Sequence, residues 1–271
     1  MPAIVSREEE LASLRAFIAE TDEGPAALVL EGEAGIGKST LWLAGVEHAR
    51  AQGLRVIAAR PAEAERSLAH VGLGDLFEDV LDDVLPALSA PRRRALEVAL
   101  LMEDAPGDPV DQRALAVAVH NALQLLSEPG KLVIAVDDVQ WLDPSSSSAL
   151  AFALRRLAPN PVVLLFARRL VDEAQAPGPE QALDAERVQR LTVGPLSAGA
   201  LHRFLRDRLG SPFARQTLLR IHERSGGNPF FALELARVLE QEVDLLQPLM
   251  VPETLEELVR ARISGLPAST R

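Results

Sequence analysis

Residues 28–42 read LVLEGEAGIGKSTLW: an apolar run halts at a glycine, and a lysine with two hydroxyls follows. Within it, Gly32, Glu33, Ala34, Gly35, Ile36, Gly37, Lys38 and Ser39 fit the spacing G-x-x-x-x-G-K-[ST]. Glycines let backbone N–H groups turn inward on an anion, and a helix start adds partial positive charge at the same place. The expected ligand is a nucleoside triphosphate. Lys38 is expected to reach its β- and γ-phosphates, the Ser39 hydroxyl to ligate Mg²⁺, and Thr40 to lie near the α-phosphate. The competing reading is a glycine turn capping an ordinary helix. It loses here because the pattern follows a strand-like run and precedes a helical one.

Such a loop needs a second strand that delivers a carboxylate to the metal. Residues 131–138, KLVIAVDD, supply apolar residues ending in Asp137 and Asp138. In a parallel sheet the C-terminal ends of strands converge on the ligand crevice. Asp137 is expected to hold Mg²⁺ through a water, since this ion keeps much of its hydration shell. Asp138 is expected to orient or deprotonate the attacking water. Two adjacent acids favour hydrolysis over transfer to a small molecule. The next strand, in PVVLLFARR, ends in Arg168 and Arg169, either of which could sense the γ-phosphate as a charge-assisted donor.

Working outward, the sequence alternates strand and helix patterns. Strands are expected in 26–32, 54–61, 131–138, 161–169 and 187–197, with helices between them. Ser6 is the expected N-cap of a first helix, with Glu9 three residues on. Gly53 is expected to end the helix after the loop. Residues 67–126 are mostly helical in pattern, with APGDP (105–109) as a separator. The strand runs are apolar throughout rather than alternating, which predicts a parallel sheet covered on both faces. The fold class is therefore α/β, a parallel five-stranded P-loop NTPase sheet with helices on both faces. A small all-α domain follows, since only helical patterns occur after Pro195. The expected domains are residues 1–195 (nucleotide binding), 196–250 (small helical) and 251–271 (see below).

Composition narrows the function. The 271 residues carry a formal net charge of −11, so the chain is a poor general binder of nucleic acid. There is no cysteine, which excludes disulfides and thiolate metal sites. No signal peptide is evident, and no apolar run approaches the roughly 20 residues needed to span a bilayer. A cytoplasmic location and no membrane partner are expected. The five histidines show no metal-binding spacing. Ser145 to Ser148 read as helix capping, the PRRRALE cluster (91–97) as a solvated helix start, and Trp42 and Trp141 as packing residues.

Together these residues resemble the ATPase region of the large LuxR-type transcriptional regulators, within the signal-transducing ATPases with numerous domains, an AAA-type P-loop group. IVSREEELASL is similar to that family's N-terminal glycine-arginine-glutamate motif, with Ser6 in place of the glycine; the resemblance implies that Arg7 lies against the nucleotide base. VDDVQWLDPSS resembles the extended metal-binding strand, and PVVLLFARR the sensor strand, favouring Arg169. SGGNPFFALELARVL (225–239) looks like the glycine-x-proline motif, which implies that Pro229 packs on adenine, while Asn228 and Pro229 also read as an ordinary helix start. VPETLEELVRARISGLP resembles the opening of a winged helix that stops at Arg271.

The resemblance implies an ATP/ADP switch that hydrolyses slowly and uses Mg²⁺. Its nucleotide would sit between the two domains, with self-association among its partners. DNA would be reached only through a module absent from this chain. The alternatives are an oligomeric AAA-type motor or loader, and a non-hydrolysing nucleotide-binding scaffold.

Overall fold

The computed structural model describes residues 6–103, 111–157, 159–170, 178–210 and 213–242. The APGDP separator and the winged-helix segment lie outside the described residues. Internal contacts divide the described chain into two units. One comprises residues 9–33 and 38–192; the other comprises residues 6–8, 34–37 and 193–242.

The first unit is built on five strands: β1 (Pro25–Gly32), β2 (Arg55–Ala59), β3 (Leu132–Val136), β4 (Val162–Arg169) and β5 (Val188–Thr192). They pair in the order β2-β3-β4-β1-β5, every pair parallel. Parallel neighbours require crossover connections, and helices supply them. These are α2 (Lys38–Ala51), α3 (Val71–Phe77), α4 (Leu81–Val84), α5 (Ala90–Ala99), α6 (Gln112–Ser127) and α7 (Pro144–Leu154), while α1 (Glu8–Glu20) precedes β1.

Side chains alternate across a strand, so each face has its own helices. Val162, Leu164 and Phe166 of β4 join Ile134 and Val136 of β3 in a core with residues of α3, α5, α6 and α7. Leu165 points the other way, onto α1 and α2. A Cβ on Gly45 of α2 would lie 2.6 Å from Leu165 and 2.9 Å from Leu14 of α1. The Trp42 indole N–H donates to the Leu165 carbonyl at 3.1 Å, and Trp42 is 2% exposed, a packing role. Both faces of the sheet are thus covered. The Lys131 ammonium donates to the carbonyls of Ile18 and Ala19, closing the C-terminal end of α1.

Residues 67–126, expected to be mostly helical, hold α3 to α6 among the described residues, broken by short 3₁₀ turns. Two expectations are corrected. Ser6 does not cap α1: the helix starts at Glu8, and Ser6 takes φ 55°, the left-handed region where glycine is favoured. The serines after Pro144 likewise do not cap their own helix. Asp143 does, accepting from Ser146 N–H at 2.9 Å, while the Ser146 hydroxyl accepts the Leu73 N–H of α3 at 3.0 Å.

The second unit holds α8 (Ala198–Leu209), α9 (Arg215–Ser225) and α10 (Pro229–Glu242) around Leu201, Leu205, Ile221, Leu235 and Ala236. Asn228 caps α10, its side-chain oxygen accepting from the N–H groups of Phe230 at 3.1 Å and Phe231 at 3.3 Å. Pro229 is the first helical residue and is buried.

Candidate functional site

In the first unit the strand order sets the site. β4 lies between β1, which leads into the glycine loop, and β3, which ends in the acids. The register puts Gly32 beside Arg169 and Val136 beside Phe166. Lys38, Ser39, Asp137, Asp138 and Arg169 thus gather at one rim, the C-terminal ends of the strands.

Asp137 is 3% exposed. One carboxylate oxygen accepts from the Ser39 hydroxyl and the Asp138 backbone N–H, both at 3.1 Å. The other faces the Arg60 guanidinium at 3.4 Å. Burial pushes the Asp137 carboxyl above the ordinary carboxylate range; the Ser39 hydrogen bond opposes this, and the Asp138 charge adds to it. Burial also holds the Lys38 ammonium below the ordinary lysine range, against the pull of Asp138. Lys38 donates to the loop carbonyls of Gly32 at 3.0 Å and Glu33 at 2.8 Å. A cavity of about 360 Å³ lined by Arg60, Pro61, Asp137 and Asp138 opens here. A larger hollow of about 710 Å³ sits at the opposite end of β1, around Ala26. Its Glu20, Asp22, Glu23 and Glu186 would repel a triphosphate, so its size does not make it the site.

The donor set suits Mg²⁺. A serine hydroxyl and one buried carboxylate are hard oxygen donors, and Mg²⁺ is typically held by one or two carboxylates with the remaining positions left to phosphates and waters. Among the described residues no group of three or more His, Cys, Asp or Glu side chains gathers as a metal site.

Arg169 and Arg168 separate by strand alternation. Arg169 lies on the α2 face, where its Nε is 3.3 Å from an Asp138 oxygen. Arg168 lies on the other face and pairs with Glu180, which is fully buried. Asp138 itself adopts φ 48°, ψ 49°, a costly conformation for a non-glycine residue. Gln140 braces it: the amide donates to Asp138 Oδ1 at 2.7 Å, and its oxygen accepts from Arg169 N–H at 3.3 Å. Trp141 lies beside the Arg169 guanidinium, 5.9 Å from centre to centre.

A family model for the AAA ATPase domain matches residues 3–166. This chain belongs to the AAA ATPase family. An uncharacterised protein of Rhizobium meliloti (strain 1021) is 27% identical to this AAA ATPase over 272 residues. That match takes in 89% of the chain and 25% of the relative's length, so the chain spans about a quarter of the curated relative. Among solved structures, the ORC2 protein of Aeropyrum pernix in its ADP form aligns over 97% of this chain and 69% of its own. Its TM-score is 0.54 at 19% identity, which shows a shared fold. A RuvB variant of Thermotoga maritima aligns over 96% and 69%, with TM-score 0.47 and 12% identity. The P-loop NTPase fold expected from the glycine loop is the fold of this AAA ATPase.

In the second unit of the AAA ATPase domain the loop apex, residues 34–37, meets the segments that follow residue 192. Arg7, expected against a base, is 7% exposed and donates to the backbone carbonyls of Ile36 at 3.1 Å and Gly194 at 2.6 Å. Gly35 takes φ 76°, and a Cβ there would fall 2.7 Å from the Phe230 Cβ. Gly37 takes φ 107°. Both need glycine, one for a close approach as well as for its dihedral. Three contacts that the motifs did not give serve these places: Arg60 with Asp137, Gln140 with Asp138 and Arg169, and Asn228 with the Ala34 carbonyl. For Arg60 a signal existed, a cation just past the end of a strand at the acidic rim.

Proposed function

We propose that this AAA ATPase domain binds Mg²⁺–ATP at the rim formed by Lys38, Ser39 and Asp137 and hydrolyses it slowly, as the switch module of a multidomain LuxR-type regulator. The observation that carries the reading is the Ser39–Asp137 hydrogen bond, which ties the end of the glycine loop to the acidic strand end. Mg²⁺ bound there neutralises charge on the β- and γ-phosphates.

The chain's own groups do the rest. Lys38 exchanges the loop carbonyls of Gly32 and Glu33 for phosphate oxygens. Asp138, oriented by Gln140 and Arg169, takes a proton from the attacking water. Arg169 leaves Asp138 in part to donate to the γ-phosphate, and so distinguishes ATP from ADP. A ligand can move a switch only by its differential affinity for two states, and Arg169 is a group that ATP and ADP engage differently. The relative's far greater length supports a reading in which this domain is one module among several. Cytoplasmic residence, and DNA contact through a separate module, belong to the same proposal.

The test is equilibrium binding of ATP to wild type and Lys38→Ala, followed by single-turnover hydrolysis at several protein concentrations. Loss of affinity in the variant, with slow turnover independent of concentration, supports the switch. Undiminished affinity in Lys38→Ala overturns the site. Turnover that climbs with protein concentration points to an oligomeric motor instead, and ATP left intact for hours to a scaffold. Reading the gene past Arg271 tests the regulator: a helix-turn-helix there supports it.

A further inference from the structure

The carbonyls of the glycine loop are occupied one after another. Gly32 and Glu33 accept from Lys38. The next three accept from residues of the second unit. Ala34 takes the Asn228 side-chain amide at 2.9 Å, Gly35 the Phe230 N–H at 3.3 Å, and Ile36 the Arg7 guanidinium at 3.1 Å. A trans peptide is planar, so its carbonyl and the N–H of the next residue point in opposite directions. Holding the carbonyls of 34, 35 and 36 on one side therefore turns the N–H groups of 35, 36 and 37 to the other. Those are the groups that a phosphate-binding loop offers to its ligand.

Asn228 has two tasks in this arrangement. Its oxygen caps α10, and its NH₂ reaches the loop. A cap alone needs only the oxygen, and serine or aspartate serves as well. The amide donor is what asparagine adds.

We propose that Asn228 is a positioning residue for the phosphate loop, its side-chain NH₂ holding the Ala34 carbonyl outward so that the apical N–H groups stay presented to phosphate. The proposal rests on the ATP-binding reading for its consequence, but the positioning itself exists without nucleotide. α10 is thereby part of the loop's support, and whatever displaces its N-terminus also disorders the loop.

The experiment separates the two tasks of Asn228. Asn228→Ser and Asn228→Asp keep a capping oxygen and remove the amide donor; Asn228→Ala removes both. Serine tests the lost donor without a new charge, and aspartate adds repulsion. In nucleotide-free protein, ¹⁵N relaxation of Gly35, Ile36 and Gly37 reads loop order directly. ATP binding is measured on the same samples beside wild type and Lys38→Ala. The expectation for Asn228→Ser is a Tm close to wild type, raised mobility at residues 35–37 and ATP affinity lower by about 3- to 10-fold, the worth of one hydrogen bond. Asn228→Asp loses more, and Asn228→Ala also lowers Tm. Wild-type loop order in Asn228→Ser overturns the proposal whatever the nucleotide does. Raised mobility with unchanged affinity overturns its consequence for binding. Absence of ATP binding in wild type overturns the ATP reading while leaving the relaxation result to decide the positioning role.

Discussion

Arg168 and Arg169 are consecutive on β4, and consecutive strand side chains face opposite ways. Arg168 is held against Glu180, a carboxylate with no exposure. Removing the guanidinium leaves that charge buried and unpaired, so Arg168→Ala is expected to cost about 3–5 kcal/mol in urea denaturation. Arg169 and Asp138 are both partly exposed, and such a pair is worth about 0.2–1 kcal/mol at most. Arg169→Ala should therefore leave stability nearly unchanged while slowing ATP turnover and narrowing the preference for ATP over ADP. The opposite pattern would mean that the two roles are exchanged. Asp137 carries a different signature. Its carboxyl is raised by burial, so the folded chain holds that proton more tightly than the unfolded chain does. The cost of ionising it is absent at low pH and complete above the raised value; across that window stability falls as pH rises. Asp137→Asn lacks this cost and can still accept from Ser39. Its Tm should match wild type in acid and exceed it increasingly toward neutrality, while its ATP affinity loses its dependence on Mg²⁺. A Tm gap that stays constant with pH would show that Asp137 ionises in the fold as freely as in the unfolded chain.

At the scale of elements, Asp143 joins two helices. It caps α7 through Ser146 N–H and also accepts the N–H groups of His70 at 2.9 Å and Gly72 at 3.1 Å, where α3 starts. It is 2% exposed, so no water replaces it. Asp143→Ala should cost about 2–4 kcal/mol, one cap plus the buried donors left unsatisfied, and should shift the urea midpoint far more than it shifts ATP affinity. A loss below 1 kcal/mol would show that the α3 start finds other acceptors. The inner strands β1, β3 and β4 were legible in sequence because each is an apolar run ended by glycine or charge, and burial on both faces demands that pattern; the edge strand β5, VQRLT, is largely exposed and does not carry it. The glycine loop and the acids of β3 were legible because their chemistry fixes residue type and spacing. The series from α3 to α5 was not: its 3₁₀ turns follow local packing, and apolar three-and-four spacing does not distinguish one long helix from several short ones. Asn228 was legible as the cap of α10, but its contact with Ala34 was not, nor that of Gln140 with Arg169, since those partners lie 194 and 29 positions away in the chain. Arg168 and Arg169 could have been separated beforehand, since Val162, Leu164 and Phe166 share the face of Arg168 and odd positions share that of Arg169.

For the whole molecule, the path of the chain matters more than its net charge of −11. Gly32, Glu33 and Lys38 belong to the sheet unit, while residues 34–37 between them belong to the helical unit. One eight-residue loop therefore contributes backbone to both. A ligand that binds the folded loop stabilises whatever must be folded to form it, by RT ln(1 + [L]/Kd). At a hundredfold excess over Kd this is about 2.7 kcal/mol. Because the loop needs the carbonyl partners at Arg7, Asn228 and Phe230 as well as Lys38, the protection should appear in both units. Hydrogen exchange with Mg²⁺–ATP is expected to slow amides in β1, β3 and β4 and also in α8, α9 and α10, with neither effect in Lys38→Ala. Slowing confined to the strands would mean that the loop keeps its form when the helical unit opens, and that nucleotide has no purchase on the helices. Slowing in both ties occupancy of the loop to the folding of α10, which is the physical requirement for a domain that reports its nucleotide to the rest of a longer protein.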